Sequence, residues 1–253
     1  MLDNFALLLV GAAALVAGAI NALAGGGTLI TFPMLIAVGI PPVVANVTNS
    51  VALCPGYIGG TLAQWRDFRG QQRRVWLLVP AGVMGGVVGG LLLLNTEERI
   101  FTTVVPYLIL LASGLLALQE PIKRWLIRRD QHSTREASAI FTFAPVGLSA
   151  VYGGYFGAGL GVIMLATLGI TQDDTLTRLN ALKQLLSLVI NLAAAIYFAF
   201  AGPVLWPVAG VMAIGALLGG VLGGRLASRI NPTTLRYCVV VVGVIVAGYF
   251  LLR

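Results

Sequence analysis

Two glycine clusters stand in the chain directly before short apolar runs. They consist of Gly25, Gly26 and Gly27 with Thr28, and of Gly157, Gly159 and Gly161. Glycine lets the backbone change direction without a side-chain clash, and a helix that begins there presents N–H groups that attract anions. Each cluster therefore predicts an anion-binding device built from backbone donors. Close packing of helices through small residues is the alternative explanation for the same glycines.

Lys183 is a charged residue several positions inside a long apolar run. A charge within a membrane helix is costly, by at least about 2.5 kcal/mol, and therefore indicates a functional site. If Lys183 faces the protein interior, it supplies a cationic centre for an anion. The alternative is a lysine that extends its ammonium to the membrane surface, because Asp173, Asp174 and Arg178 precede it by one or two turns.

Neutral polar residues occur at the same depth in the apolar runs. They are Asn21, Asn46, Thr48, Asn49, Ser50 and Asn180. When Gly39 is aligned with Gly169, Asn49 falls within a residue of Asn180. Amides and hydroxyls can surround an oxyanion without trapping it, so we expect these side chains in the same site; bonds between helices are the other explanation. Further candidates are Tyr152, Tyr155 and Gln64.

The elements that carry these residues are membrane helices. Of the 253 residues, 58% are hydrophobic and 10% charged, against about 25% charged in soluble domains, which excludes a water-soluble fold. Spans need about 20 apolar residues, and the chain divides into ten segments: 5–24, 28–40, 43–65, 75–94, 100–118, 139–158, 160–170, 176–200, 205–227 and 235–252. The sequence predicts an all-α, polytopic membrane protein with about ten transmembrane segments. Segments 28–40 and 160–170 are too short to cross comfortably, so broken or re-entrant helices are expected at the glycine clusters.

The ten segments form two similar sets of five. Residues 1–118 make the first set, 119–138 a basic linker, and 139–253 the second set. In each set a glycine cluster precedes a short segment, and the fourth segment carries closely spaced glycine pairs. Because five is odd, the second set must insert upside down. Inverted repeats of this kind are typical of secondary transporters, which bind substrate where the repeats meet near the midplane.

The basic residues predict the orientation in the membrane. With loops 66–74 and 119–138 in the cytoplasm, thirteen Lys and Arg residues fall on that side and two outside. This asymmetry follows the positive-inside rule and predicts both termini outside. The net charge of +7 lies in short loops, which argues against nucleic acid as a partner. The linker charges are expected to face solvent and lipid headgroups.

The sequence offers little for catalysis or for a cofactor. It contains no GxxxxGK[ST] motif, its single histidine is His132, and Cys54 and Cys238 lie apart in apolar runs. We therefore expect neither an enzyme nor a bound metal or cofactor. No acidic residue lies clearly within a span, so a carboxylate proton relay is not expected unless Asp173 or Asp174 turns inward.

Four stretches resemble the TauE/SafE sulfite-exporter family, also called the toluene-sulfonate uptake permease family. They are residues 21–28, 45–56, 152–161 and 179–183. The resemblance implies a permease of the bacterial inner membrane for sulfur-containing or organic anions such as sulfite, sulfoacetate or other sulfonates. The second glycine cluster departs from three consecutive glycines, since Leu160 separates Gly159 from Gly161.

These observations combine into one functional hypothesis, a secondary transporter that works by alternating access. The helix starts after Gly27 and Gly161 and the amides of Asn49 and Asn180 would bind the oxyanion, and Lys183 would supply charge. The expected partners are a small anionic substrate, the lipid bilayer and a coupling proton or cation. The alternatives are an anion channel and a non-transport membrane subunit of a larger complex.

Overall fold

The structure is a computed structural model that describes residues 3–23, 26–130, 139–226 and 232–252. Within these ranges all regular elements are helices, which confirms the predicted all-α class for this part of the chain. A short 3-10 helix, Trp65–Phe68, lies between α3 and α4. The α-helices are α1 (Asn4–Leu23), α2 (Thr28–Ala37), α3 (Pro42–Ala63), α4 (Gln72–Asn95), α5 (Glu98–Asp130), α6 (Ala139–Tyr155), α7 (Leu160–Thr171), α8 (Leu176–Ala201), α9 (Trp206–Leu226) and α10 (Pro232–Leu251).

Five helices are long and apolar enough to cross a membrane, namely α1, α4, α5, α8 and α10. Helices α2 and α7 have 10 and 12 residues. At about 1.5 Å per residue they reach roughly 15 and 18 Å, about half of the ~30 Å hydrocarbon core. The chain is therefore a multi-pass membrane protein by length and composition, with two helices too short to span.

The chain breaks its helices at both glycine clusters, as the sequence predicts. Helix α1 ends at Leu23 and α2 begins at Thr28, and α6 ends at Tyr155 before α7 begins at Leu160. Gly26, Gly157 and Gly159 have φ angles of 92°, 75° and 75°. Residues other than glycine rarely adopt this left-handed backbone conformation. The glycines therefore allow the chain to turn between the helices. Gly25 lies outside the described residues.

Helix α5 is longer than the sequence suggests. The apolar pattern predicts an end at residue 118 and a linker over 119–138, but α5 continues to Asp130. The extension contains lysine and arginine, which favour helix. It is held by Leu126, which is 5% exposed and packs against Gly169 of α7. The first part of the expected linker is therefore helical.

The contacts between helices occur in corresponding sets. Helix α1 packs against α9 and α6 against α4; α3 packs against α9 and α8 against α4. Helix α2 contacts α10 and α7 contacts α5, and the pairs α3–α8 and α5–α10 are also in contact. Each of these contacts has a counterpart, or is its own counterpart, when α1–α5 are exchanged in order for α6–α10.

Glycines bring two of these helix pairs into backbone contact. A Cβ added to Gly219 of α9 would lie 1.8 Å from Leu15 O of α1, and one added to Gly89 of α4 would lie 2.2 Å from Val151 O of α6. Real Cβ atoms do not approach that closely, so only glycine permits these contacts. The glycine pairs in α4 and α9 therefore serve close helix packing.

An aromatic cluster joins the two breaks in the core. Phe32 of α2 packs edge-on against Phe156, which directly follows α6, with ring centroids 5.4 Å apart. Phe101 of α5 contacts both rings at 6.5 Å. All three side chains are almost fully buried, and edge-to-face pairs of this kind stabilise a core beyond their buried area. The two helix breaks therefore lie next to each other.

Candidate functional site

The first break satisfies most of its own backbone donors. Gly27 N–H donates to Asn21 Oδ1 at 3.0 Å. Leu29 N–H donates to Gly26 O, and the N–H groups of Ile30 and Thr31 donate to Gly27 O, at 3.0 to 3.1 Å. The sequence predicts free N–H groups at the start of α2. The N–H groups of Leu29, Ile30 and Thr31 are instead bonded to glycine carbonyls, the first two in the manner of a 3-10 helix.

A buried pair of polar side chains lies beside this break. Thr31 Oγ1 donates to Asn49 Oδ1 at 2.5 Å, and each residue is 1% exposed. The amide nitrogen of Asn49 has no hydrogen-bond partner among the described residues, so it remains a donor. The sequence analysis missed Thr31. Its signal is a polar residue four positions after Gly27 within the apolar run of α2.

The other polar candidates on the first half behave differently. Ser50 Oγ donates to Asn46 O in its own helix at 2.9 Å, a local bond that satisfies the hydroxyl. Thr28 is 7% exposed at the start of α2. Thr48 Oγ1 accepts from Leu205 N–H at 3.1 Å, so it connects α3 to the segment before α9.

Asn46 connects the first half of the chain to the second break. Its Nδ2 donates at 2.8 Å to the carbonyl oxygen of Tyr155, the last residue of α6. This bond satisfies one of the carbonyls that the end of a helix leaves free. Asn46 Oδ1 is buried and has no hydrogen-bond partner among the described residues. A buried acceptor without a donor is unfavourable, so this oxygen is available to a donor that enters the core.

The second break repeats the backbone pattern of the first. Val162 and Ile163 donate their N–H groups to Gly159 O, at 2.9 and 3.3 Å, as Ile30 and Thr31 do to Gly27 O. Gly157 N–H donates to Tyr152 O at 3.3 Å. The N–H groups of Ala158, Gly159 and Gly161 have no acceptor among the described residues, and the same is true of Thr28 N–H at the first break. Backbone donors therefore stay available at both breaks.

The side chain of Lys183 lies beside Gly161. A Cβ placed on Gly161 would be 3.9 Å from Lys183 Cδ, so the alkyl chain of the lysine passes over the start of α7. Its ammonium donates to Asn180 Oδ1 at 2.8 Å, and Asn180 Nδ2 donates to Gln64 Oε1 at 2.8 Å. Gln64, a secondary candidate in the sequence, thus joins the site from the end of α3.

Lys183 has no acidic partner among the described residues. Asp174, the nearest acidic candidate along the chain with a defined pairing, forms ion pairs with Arg74 of α4 and with Arg178, the latter at 2.9 Å. A partly buried cation without an acidic partner is a favourable position for an anion.

The structure thus divides the predicted site residues into two adjacent groups. The first break holds Asn21, Gly26, Gly27, Thr28 and Asn49, together with Thr31. The second holds Gly157, Gly159, Gly161, Asn180 and Lys183, together with Gln64. Asn46 links the groups, and Ser50 bonds within its own helix. Among the described residues no group of three or more His, Cys, Asp or Glu side chains could hold a metal ion; His132 lies outside them.

Comparisons with known proteins identify the family of the chain. The family "Sulfite exporter TauE/SafE" matches residues 10–250. A probable membrane transporter protein of Haemophilus influenzae is 30% identical over 90% of this chain and 88% of its own length. The probable membrane transporter proteins ORF9 of Sinorhizobium and YfcA of Escherichia coli K12 are 30% and 27% identical over 93% and 94% of this chain, covering 88% and 87% of those proteins. No solved structure gives a significant match. With a family match over nearly its whole length, the chain belongs to the sulfite exporter TauE/SafE family of membrane transport proteins.

Proposed function

We propose that this protein is a secondary transporter of small sulfur-containing or organic anions, such as sulfite, sulfoacetate or other sulfonates. The observation that carries the proposal is Lys183 of α8, whose alkyl chain passes Gly161 at the start of α7 and whose ammonium bonds to Asn180 and has no acidic partner among the described residues. A charge in such a place is stabilised when an anion binds. The family name and the relatives' names support transport as the activity.

The donors at the two breaks suit an oxyanion. Lys183 contributes a movable ammonium and Gly161 a fixed backbone N–H at the second break, and Asn49 contributes a neutral amide donor at the first. Asn180 holds the ammonium in place through one hydrogen bond of 2.8 Å, which an incoming oxygen can replace. A site with a single charge and several neutral donors binds an anion without making its release slow.

The arrangement of helices supports alternating access by two inverted repeats, α1–α5 and α6–α10. The corresponding helix contacts and the matching bonds to Gly27 O and Gly159 O support the repeats. The excess of basic residues on one side supports both termini outside, in the inner membrane of a bacterium. Movement of one repeat against the other would expose the site to either side in turn.

The first experiment identifies the anion. Purified protein is heated with sulfite, sulfate, thiosulfate, sulfonates or carboxylates, and a ligand of the folded state raises its apparent melting temperature. Sulfite or a sulfonate should stabilise the wild type and should stabilise Lys183→Gln less. The matched control is Arg99→Gln, which removes the same charge at an exposed position of α5. Equal stabilisation of Lys183→Gln and the control would refute the site.

A second experiment separates a carrier from an anion channel. Proteoliposomes loaded with the stabilising anion are diluted into a trace amount of the labelled anion. A carrier gives faster uptake when the anion is present on the inside, because each return of the loaded site brings in a labelled ion. A channel shows no such acceleration and would overturn alternating access. A dependence on a proton or sodium gradient would identify the coupling ion.

A further inference from the structure

A second buried group of charges lies between α5 and α10. Arg236 of α10 is 3% exposed, and its Nη2 donates to Glu120 Oε1 of α5 at 3.0 Å. Lys123 Nζ donates to the same carboxylate oxygen at 3.5 Å. Two cations therefore share one acceptor atom, so the group keeps a net positive charge. None of these three residues belongs to the two helix breaks.

The guanidinium of Arg236 is only partly used. Its Nε is buried and has no hydrogen-bond partner among the described residues. The Nε and Nη2 protons of an arginine point in parallel and match two oxygens of one oxyanion. Glu120 accepts from Nη2 through a single oxygen, so its carboxylate does not bind this pair of donors in the bidentate manner. A buried charged donor without an acceptor is unfavourable unless something else binds it.

The group lies on a helix that borders the proposed central site. Helix α5, which carries Glu120 and Lys123, contacts both α7 and α8, which carry Gly161 and Lys183. An anion that leaves Lys183 toward the ends of α5 and α10 therefore meets Lys123 and Arg236 next. Under the proposed orientation, this is the cytoplasmic direction.

We infer that Arg236, Lys123 and Glu120 form a second oxyanion site, in which the Glu120 carboxylate holds the place of the oxyanion while the site is empty. The inference rests on the proposed function for its main ligand, the transported anion. When the anion arrives it takes Nε and Nη2 of Arg236 and the ammonium of Lys123, and Glu120 moves aside into its partly exposed surroundings; its side chain is 35% exposed. The same chemistry also fits the phosphate of an anionic lipid headgroup.

Glu120→Gln tests the inference because it removes the resident carboxylate and keeps a neutral acceptor. In lipid-free, non-ionic detergent, calorimetric titration should show sulfite binding that is tighter by about tenfold, the scale of one charge-assisted hydrogen bond. Glu98→Gln makes the same change at an exposed position of the same helix and should leave the affinity unchanged. Lys123→Gln, at a position that tolerates substitution because it is 28% exposed, should weaken it.

The same titration distinguishes a failure of the second site from a failure of the proposed site at Lys183. Glu120→Gln should tighten sulfite binding in the Lys183→Gln background as well, so a failure of the central site leaves this test intact. A parallel titration with phosphatidylglycerol identifies the source of the oxyanion: tightening toward sulfite indicates the transported solute, and tightening toward the lipid indicates a headgroup. Unchanged affinity for both ligands in Glu120→Gln and Lys123→Gln would overturn the inference.

Discussion

The two helix breaks have the same backbone and different charges. In each, a glycine carbonyl, Gly27 O or Gly159 O, accepts two N–H groups from the helix that follows. The side chains around the first break are neutral, with Thr31 bonded to Asn49. The second break has Lys183 bonded to Asn180. The second break therefore has a cation beside it, and the hydrogen bond beside the first break joins two neutral side chains.

This difference shows what a broken helix does and does not contribute. The glycines let the chain turn and bring the start of a short helix into the core, and their carbonyls accept most N–H groups of the turn that follows. Thr28 N–H at the first break and Gly161 N–H at the second have no acceptor among the described residues, so a free donor does not distinguish the two breaks. At the second break the side chain of Lys183 lies beside Gly161.

The largest effect should come from changing the charge at either break with little change in shape. Lys183→Gln removes the cation, and Asn49→Asp adds an anion while keeping the oxygen that accepts from Thr31. Each should weaken anion binding by about tenfold or more, since hydrogen bonds to charged groups contribute about 1.5–3 kcal/mol. Titration of purified protein with sulfite measures both.

The matched controls are Arg99→Gln and Asn95→Asp, which make the same changes at exposed positions. Both should bind sulfite like the wild type. If Asn49→Asp also keeps wild-type affinity while Lys183→Gln loses it, the first break is not part of the site. In that case the first break serves the fold only, and the second break alone binds the anion.

The glycines of the second break give the next largest effect. Gly159 has φ = 75°, and an added Cβ would lie 3.3 Å from the backbone of Ala112. Gly159→Ala should lower the free energy of unfolding by about 1–2 kcal/mol, because alanine is strained in this conformation. Gly161→Ala is the control, since its Cβ meets only Lys183 Cδ at 3.9 Å. The melting temperatures of the two variants measure this difference. An equal loss of stability in both variants would contradict the assigned role of Gly159.

Much of the fold could be predicted because glycine clusters within apolar runs have few explanations. The ends of α1 and α6 and the short helices α2 and α7 follow directly from them. The length of α5 could not be predicted in this way. Basic residues that follow an apolar span are also typical of a cytoplasmic loop, and the extension to Asp130 depends on Leu126 packing against Gly169, a contact between residues far apart in the chain.

The residue types of the candidate site could be predicted from the sequence, but the hydrogen-bonded pairs that they form could not. Lys183 and Asn180 stand out because polar groups are rare in the apolar runs. Which of them touch depends on how the helices cross. The bonds of Thr31 to Asn49 and of Asn180 to Gln64 join different elements. The charges at Glu120 and Lys123 suggest a solvated linker from the sequence because Arg236, the buried partner of Glu120, lies more than a hundred residues away along the chain.

Removing single neutral amides should have a smaller effect than changing charge. Asn180→Ala leaves Lys183 and Gln64 without their shared partner and should weaken sulfite binding severalfold, since a neutral hydrogen bond contributes about 0.5–1.5 kcal/mol. Asn49→Ala should weaken binding by a similar amount through the lost Nδ2 donor. Asn95→Ala, whose amide bonds only within its own exposed helix turn, should have no effect. Titration of the three variants side by side measures the difference, and wild-type affinity in Asn180→Ala would argue against its positioning of Lys183.

The smallest effect on binding should come from Thr31, which holds the neutral break together without reaching the anion in the proposed arrangement. Thr31→Val keeps the shape and removes the hydroxyl, which leaves Asn49 Oδ1 buried without its donor. We expect the free energy of unfolding to fall by about 1–3 kcal/mol, while sulfite affinity changes by less than about twofold. Thr103→Val, at an exposed hydroxyl that bonds within α5, is the control for stability. If Thr31→Val instead weakens sulfite binding as strongly as Asn49→Ala, the hydroxyl itself contacts the anion, and the first break contributes two donors to the site rather than one.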